Sequence, residues 1–334
     1  MAEEPTDIPE SPTPAARSPP PRPGRGVTAI AACLGVAAAV PLAVAAAPPP
    51  PSPVRVEDGA VVVPIDGGEA VVDPATLAVA ARPDSGGRIT LSDAAKQDLG
   101  DPDALTIGPG GARWSYPDRG FDASATAEQG RLSIEVRATA GGDDPDSTLT
   151  WPVTGTDPAA SAVRFPRGEG LSVPLDDDFF TSEDAGLAGA DIAMSSGLTL
   201  PFWGTAIGGL GASYTVGDDG IGTLLRFVSD TGRLSNEAEH TFSARSGTLK
   251  YAVTFALTGP EPTAAAADYR ALLTERGQLG SLKAKIANNP EVGKLIGAFH
   301  AYTWGSGRRA AAVERMRELG IDRMWLGYDA DGAP

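Results

Sequence analysis

Two aromatic residues two positions apart, Tyr302 and Trp304, close one apolar run near the carboxyl end of the sequence, and a carboxylate, Asp329, closes the next. Aromatic faces stack on sugar rings and carboxylates accept sugar hydroxyls, so these types at neighbouring strand ends could hold a carbohydrate. Each has a second reading. Asp329 either binds a ligand or caps a following helix, since a carboxylate ending an apolar strand is costly until something satisfies it. Trp304 reads first as a packing residue. His300 shares an alternating face with Tyr302 and Trp304, and reads first as an interior histidine bonded to a neighbouring strand. Asp329-Ala330-Asp331-Gly332 begins like a calcium loop but lacks the further acidic ligands and the closing Glu.

Other chemistries are excluded by what the chain contains. One cysteine, Cys33, allows no disulfide framework or Cys cluster, and with only His240 and His300 there is no multi-histidine metal site. Gly305-Ser306-Gly307 has the wrong spacing for a nucleophile elbow, and Gly208-Gly209-Leu210-Gly211 lacks the third glycine of a dinucleotide fingerprint. No metal, no cofactor and no catalytic residue is assigned.

The elements that must position Tyr302, Trp304 and Asp329 are legible around them. Lys294 to Trp304 reads as a strand, Arg309 to Leu319 as a helix with Ala312, Val313, Met316 and Leu319 on one face, and Ile321 to Tyr328 as a second strand. Gly320 stands where a left-handed helix cap is wanted. This is a βαβ unit with parallel strands, the opening of a (β/α)8 barrel that needs eight strands and roughly 250 residues. The expectation is therefore a truncated barrel over 294–334. Before it, Thr263 to Glu275 and Leu279 to Asn288 are predicted helices that make up most of a connecting segment, 259–293, with Asn289-Pro290 as a boundary.

Residues 54–258 alternate short β-prone runs with Gly, Pro, Asp and Ser clusters: Ala60 to Ile65, Thr76 to Ala80, Arg131 to Arg137, Leu198 to Trp203, Thr223 to Val228 and Leu249 to Leu257. That pattern predicts a mainly β protein with a large antiparallel β-sandwich. In Arg131 to Arg137 the residues Leu132, Ile134 and Val136 face a core, and Arg131, Ser133, Glu135 and Arg137 face water. Thr223 to Val228 is nearly continuous in apolar character and is expected to be buried between layers. Asp176-Asp177-Asp178, Gly217-Asp218-Asp219-Gly220 and Gly141-Gly142-Asp143-Asp144 read as charged or solvated turns.

A net charge of −16, from 27 Lys and Arg against 43 Asp and Glu, excludes a polyanion-binding role, and no nucleic-acid partner is expected. Residues 1–26 are Pro-rich, polar and expected to be disordered. Val27 to Ala47 is an uncharged apolar run behind Arg17, Arg22 and Arg25, read as a signal peptide or, uncleaved, a signal anchor. Val44 and Ala46, or Ala43 and Ala45, offer a small-residue cleavage pattern. Membrane contact is expected only through this segment, and the residues beyond Ala47 are expected to work outside the cytoplasm. Ile30 to Cys33 imitates a lipoprotein box, but the apolar run lies mostly beyond the cysteine. Residues 48–53 form a polyproline spacer.

The run from Ala267 to Gly305, ADYRALLTERGQLGSLKAKIANNPEVGKLIGAFHAYTWG, followed by VERMRELGIDRMWLGYDADG, resembles glycoside hydrolases of family 129 and the related family 101. So do Phe165 to Phe180 and Leu198 to Gly204. The resemblance spans roughly Val163 to Pro334. It implies a bacterial enzyme that removes α-linked N-acetylgalactosamine, or a disaccharide containing it, from O-glycans with retention, built from a sandwich followed by a barrel. Its partner is then carbohydrate. Retention needs two carboxyls about 5 Å apart. The resemblance puts both on later barrel strands, so this chain alone is expected to be inactive. The alternative is a non-catalytic carbohydrate-binding or surface structural sandwich.

Overall fold

The computed structural model describes residues 54–139, 147–182, 187–303 and 309–328. The readings made for residues 1–53, Gly141 to Asp144, Trp304 and Asp329 to Gly332 lie outside the described residues. Among the described residues no helix is long and apolar enough to cross a membrane.

From Arg55 the chain forms a five-strand meander, β1 (Arg55–Glu57), β2 (Ala60–Ile65), β3 (Gly68–Val72), β4 (Val79–Pro83) and β5 (Ile89–Ser92), each antiparallel to the last. Tight hairpins make this short spacing work. Asp58-Gly59 and Gln129-Gly130 both take positive φ at two successive residues, the backbone that matches strand twist in a two-residue turn. A second meander is built from β6 (Asp103–Gly108), β7 (Gly111–Tyr116), β8 (Phe121–Glu128) and β9 (Arg131–Ala138). Next come β10 (Ser147–Thr154), β11 (Ala160–Phe165) and β12 (Leu171–Pro174), then a one-turn helix α1 (Asp178–Thr181), β13 (Asp191–Ala193) and a second turn α2 (Met194–Gly197). The sandwich ends with β14 (Phe202–Ile207), β15 (Leu210–Val216), β16 (Thr223–Asp230), β17 (Arg233–Phe242) and β18 (Lys250–Thr258).

Pairing sorts these strands into two layers. One is a nine-strand antiparallel sheet ordered β12-β11-β14-β15-β18-β9-β8-β7-β6. The other joins β10-β17-β16-β13 to the first meander, because Asp93, just past β5, bridges Val153 of β10 with an N–H···O bond of 2.8 Å. Buried aromatics hold the layers together. Phe121 meets Phe242 at 4.9 Å, Phe165 meets Phe227 at 5.0 Å, and His240 stacks on Tyr251 at 4.5 Å. Their polar tips cross the gap. Tyr251 donates to the Trp151 carbonyl, Tyr214 to that of Leu91, Tyr116 to that of Pro74, and Trp203 Nε1 to Thr154 Oγ1. Each supplies large apolar area without leaving its donor unpaired.

Several expected strands appear with shifted edges. Thr76 turns, with its hydroxyl on Asp73 and Leu77 at positive φ, so β4 begins at Val79. Met194–Gly197 coils as α2, and the strand expected from Leu198 begins at Phe202. Thr223 to Val228 is not buried on both faces. Thr223, Leu225 and Phe227 face the core, while Leu224, Arg226 and Val228 are half-buried on the other side. In β9, Leu132, Ile134 and Val136 are fully buried as expected, but Arg131 is also buried rather than wet. Asp177 is more than a charged turn: its carboxylate accepts the Phe179 N–H and caps α1.

After β18 come helices α3 (Ala264–Glu275) and α4 (Leu282–Asn288), then a 3-10 turn from Pro290 to Leu295 that displaces the start of the next strand. Asn289 caps that turn by accepting the Glu291 N–H. Strand β19 (Phe299–Thr303), helix α5 (Arg309–Glu318) and strand β20 (Met324–Tyr328) complete a βαβ unit, with β19 and β20 parallel. Gly320, at φ 75°, provides the left-handed cap, its N–H bonding to the Arg317 carbonyl and that of Ile321 to Met316. The described residues hold these two parallel strands and no closed barrel.

Candidate functional site

The parallel register fixes where the strand-end residues stand. Tyr302 pairs with Gly327 and Thr303 with Tyr328, so β19 and β20 finish side by side with Tyr302 one residue from the end. The structure thus places Tyr302 at the carboxyl end of this pair. Trp304 and Asp329 come directly after these strands and lie outside the described residues.

A second candidate was not singled out from sequence. The outer face of the nine-strand sheet carries the residues that alternate with its core: Ser133 and Glu135 on β9, Thr254 on β18, Thr215 on β15. Helix α3 lies across one part of this face. It does so because Ala265, Tyr269 and Leu272 form a buried stripe, with Tyr269 stacked on Phe202 at 4.9 Å. Gly204 admits the helix: a Cβ there would stand 2.7 Å from that of Ala265. Arg131 pins it, donating to Asp268 at 2.8 Å and to Glu275 at 2.6 Å. Burial opposes the charge of Arg131, but these carboxylates more than offset it and hold the guanidinium above its ordinary value.

Between α3 and the Asp218–Gly220 turn lies an open trough of about 470 Å³. Ser133, Thr215 and Thr254 form its floor; Tyr269, Leu273, Arg276 and Gln278 form one wall; and Asp218 and Asp219 stand opposite. Arg276 makes a two-pronged pair with Glu128 at 2.9 and 2.8 Å, which lowers the pKa of that carboxyl. Glu135 is tied to Lys250 at 3.2 Å and Arg137 at 3.1 Å. Burial raises the pKa of the Tyr269 phenol, with Asp219 adding to the shift and Arg276 opposing it, so that hydroxyl stays protonated. Glu135 also lines a neighbouring groove of similar volume over β7, β8 and β9, with Arg113, Ser115, Asp122, Ser124 and Arg137.

Among the described residues no group of three or more His, Cys, Asp or Glu is arranged to hold a metal ion. His240 is a core residue. Its Nδ1 meets Thr223 Oγ1 at 2.9 Å, its Nε2 meets the Thr248 carbonyl at 3.0 Å, and burial lowers its pKa. His300 lies in β19 opposite Trp325 in register. The signal that could have pointed to the trough was the polar alternation of Ser133 and Glu135; Tyr269 read only as a helix residue, and Arg276 fell just past the predicted helix.

No protein-family model matches this chain, and no match to a curated protein was found. Solved structures do match. The α-N-acetylgalactosaminidase NagBb from Bifidobacterium bifidum superposes in its GalNAc complex with a TM-score of 0.58 at 16% identity, over 80% of this chain and 51% of that one. Its ligand-free form gives 0.56 at 16% identity, and its Gal-NHAc-DNJ complex 0.58 at 17%, with the same coverage. This chain therefore spans about half the length of the proteins it matches. At that identity the likeness shows a shared, glycoside hydrolase-like fold.

Proposed function

We propose that this chain is the sandwich-bearing part of an exported retaining glycoside hydrolase of the family 129 and family 101 type, acting on α-linked N-acetylgalactosamine of O-glycans. The observation that carries the proposal is the match to an α-N-acetylgalactosaminidase across four-fifths of the chain, over a two-layer sandwich followed by helices and a parallel βαβ unit. In this reading β19 and β20 open the barrel, and Tyr302, Trp304 and Asp329 at their carboxyl ends contact the sugar, the aromatics by stacking and the carboxylate by accepting hydroxyls. The run from Val27 to Ala47 directs export.

Retaining hydrolysis needs a nucleophile and an acid/base carboxyl about 5 Å apart. Of the acids lining the trough, Glu128 and Glu135 are committed to Arg276 and to Lys250 and Arg137, and the reading puts both catalytic carboxyls on later barrel strands. Residues 54–334 alone are then inactive. Incubation of the purified chain with an aryl α-N-acetylgalactosaminide should show no turnover. Turnover abolished by changing one Asp or Glu of this chain would overturn the placement of the catalytic pair. Reading the coding frame past Pro334 tests the enzyme reading itself: further βα units are expected, and a stop codon would favour a non-catalytic carbohydrate-binding sandwich.

A further inference from the structure

We infer that the trough between α3 and the Asp218–Gly220 turn is a non-catalytic binding site for a neutral mono- or disaccharide, separate from the ends of β19 and β20. The inference shares its ligand class with the proposed function and rests on none of the residues at those strand ends. Its first support is a hydroxyl with nowhere to go. Thr215 is 4% exposed, points to the outer face because its neighbour Tyr214 faces the core, lines the trough floor, and its Oγ1 has no hydrogen-bond partner among the described residues. Among the described residues seven buried side-chain atoms lack a partner, and Thr215 is the one of their residues that lines the trough, where a group pressed onto the floor would supply the missing bond.

The second support is the chemistry of the walls. Among the described residues Asp218 and Asp219 join no ion pair, whereas Glu128 and Arg276 neutralise each other across the trough, as do Glu135 and Lys250. The free charge is thus acidic, which disfavours an anion, and no group of acids among the described residues suits a metal. What remains is a set of groups that both accept and donate: two free carboxylates on one side, and the Tyr269 phenol, the Gln278 amide and the floor hydroxyls facing them. A polyol that donates to the carboxylates and accepts from the hydroxyls fits this lining. The volume, about 470 Å³, lies within the roughly 300–1,000 Å³ of small-molecule sites.

The acceptors are also held in place before any ligand arrives. Asp218 and Asp219 both have positive φ, and the turn is anchored by Val216 N–H on the Pro201 carbonyl and Gly217 N–H on that of Ala252, both at 2.9 Å. Gly220 lets the turn press against α2, where a Cβ would stand 2.7 Å from that of Met194.

The test titrates the full chain with galactose, N-acetylgalactosamine and lactose, following backbone amides by NMR. Saturable shifts at Val216, Gly217, Thr254 and Tyr269 are expected with at least one sugar. Asp219→Asn keeps the left-handed backbone, which Asn tolerates, and should weaken binding roughly tenfold by removing a charged acceptor. Thr215→Val should weaken it severalfold, while Asp122→Asn in the neighbouring groove should not change it. If the Thr215 hydroxyl is merely a packing defect, Thr215→Val will raise thermal stability and leave sugar binding untouched, which overturns the inference. Absence of shifts at the trough with all three sugars overturns it as well. Neither result bears on whether the coding frame continues into a barrel, so the two readings fail separately.

Discussion

Replacing Arg131 by Met tests whether α3, and with it one wall of the trough, is held by charge. The Arg131 side chain is 8% exposed and that of Asp268 12%. Removing the cation strands a nearly buried carboxylate, which costs about 3–5 kcal/mol. The pair with Glu275 adds little, because that carboxylate is 39% exposed and such pairs contribute about 0–1 kcal/mol. Against this loss stand the docking stripe of α3, three buried side chains of which two are large, Tyr269 and Leu272, and the Arg276–Glu128 pair at the end of the helix, which is partly exposed and adds about 0–1 kcal/mol. At roughly 1.5–3 kcal/mol for each large side chain, the loss is about equal to what the stripe can supply. The helix should therefore release locally, while the sandwich, whose main core does not include α3, stays folded.

Amide exchange separates the two outcomes. Arg131→Met should reduce protection in α3 by about a hundred- to a thousandfold, at 1.4 kcal/mol per decade, and leave strands such as β9 and β18 nearly unchanged. Tryptophan fluorescence in urea, reporting on the buried Trp151 and Trp203, should shift far less than the exchange data imply. Adding Asp268→Leu to Arg131→Met removes the stranded carboxylate and should recover much of the protection. Two results would refute the reasoning: α3 protection unchanged in the single variant, or a double variant no better than the single.

Two further perturbations arise from the same packing. His240 has a folded pKa lowered by burial from an ordinary value of 6.5, so its contribution to stability is complete above that value and is lost as the pH falls from there toward the folded one. Urea unfolding between about pH 6.5 and 5 should therefore show a positive slope of stability with pH that His240→Gln reduces, and parallel slopes would contradict this. Gly204→Ala puts a methyl against Ala265 and the Ala212 carbonyl, and should loosen α3 by about 1–3 kcal/mol in exchange measurements. Ala265→Gly in the same chain should restore it, and no rescue would mean the clash lies elsewhere.

The sandwich was legible in sequence where one face is polar. Leu132, Ile134 and Val136 declare the core because Ser133 and Glu135 stand between them, and the structure buries the three fully. Thr223 to Val228 misled for the opposite reason, since Leu224 and Val228 are apolar residues on a half-covered face. Arg131 could not be read as buried, because its partners lie 137 and 144 residues away and only the fold brings α3 to β9. The joining of the two small sheets into one layer was equally hidden, resting on the bridge from Asp93 to Val153 and the bonds beside it, from Val153 N–H to Ser92 Oγ and from Lys96 N–H to the Thr150 carbonyl. Tyr302, Trp304 and Asp329 were selected by position at strand ends, and the parallel register of β19 with β20 is the part of that argument the structure contains. The trough was missed because no local pattern marks it. It arises where a helix from one part of the chain meets a turn some fifty residues earlier.

That arrangement has a consequence for how the chain divides. Helix α3 belongs energetically to the sandwich, through Arg131, Phe202 and the space above Gly204. From α4 onward the balance changes: Leu282, Leu295, Ile296, Phe299 and Leu319 are all exposed, between 47% and 58%. The sandwich does not share this debt, since its two layers satisfy each other and its buried aromatics find their partners across the gap. A ligand at the trough and one at the strand ends would thus depend on different surroundings. The first would need only α3, the Asp218–Gly220 turn and the sheet beneath them.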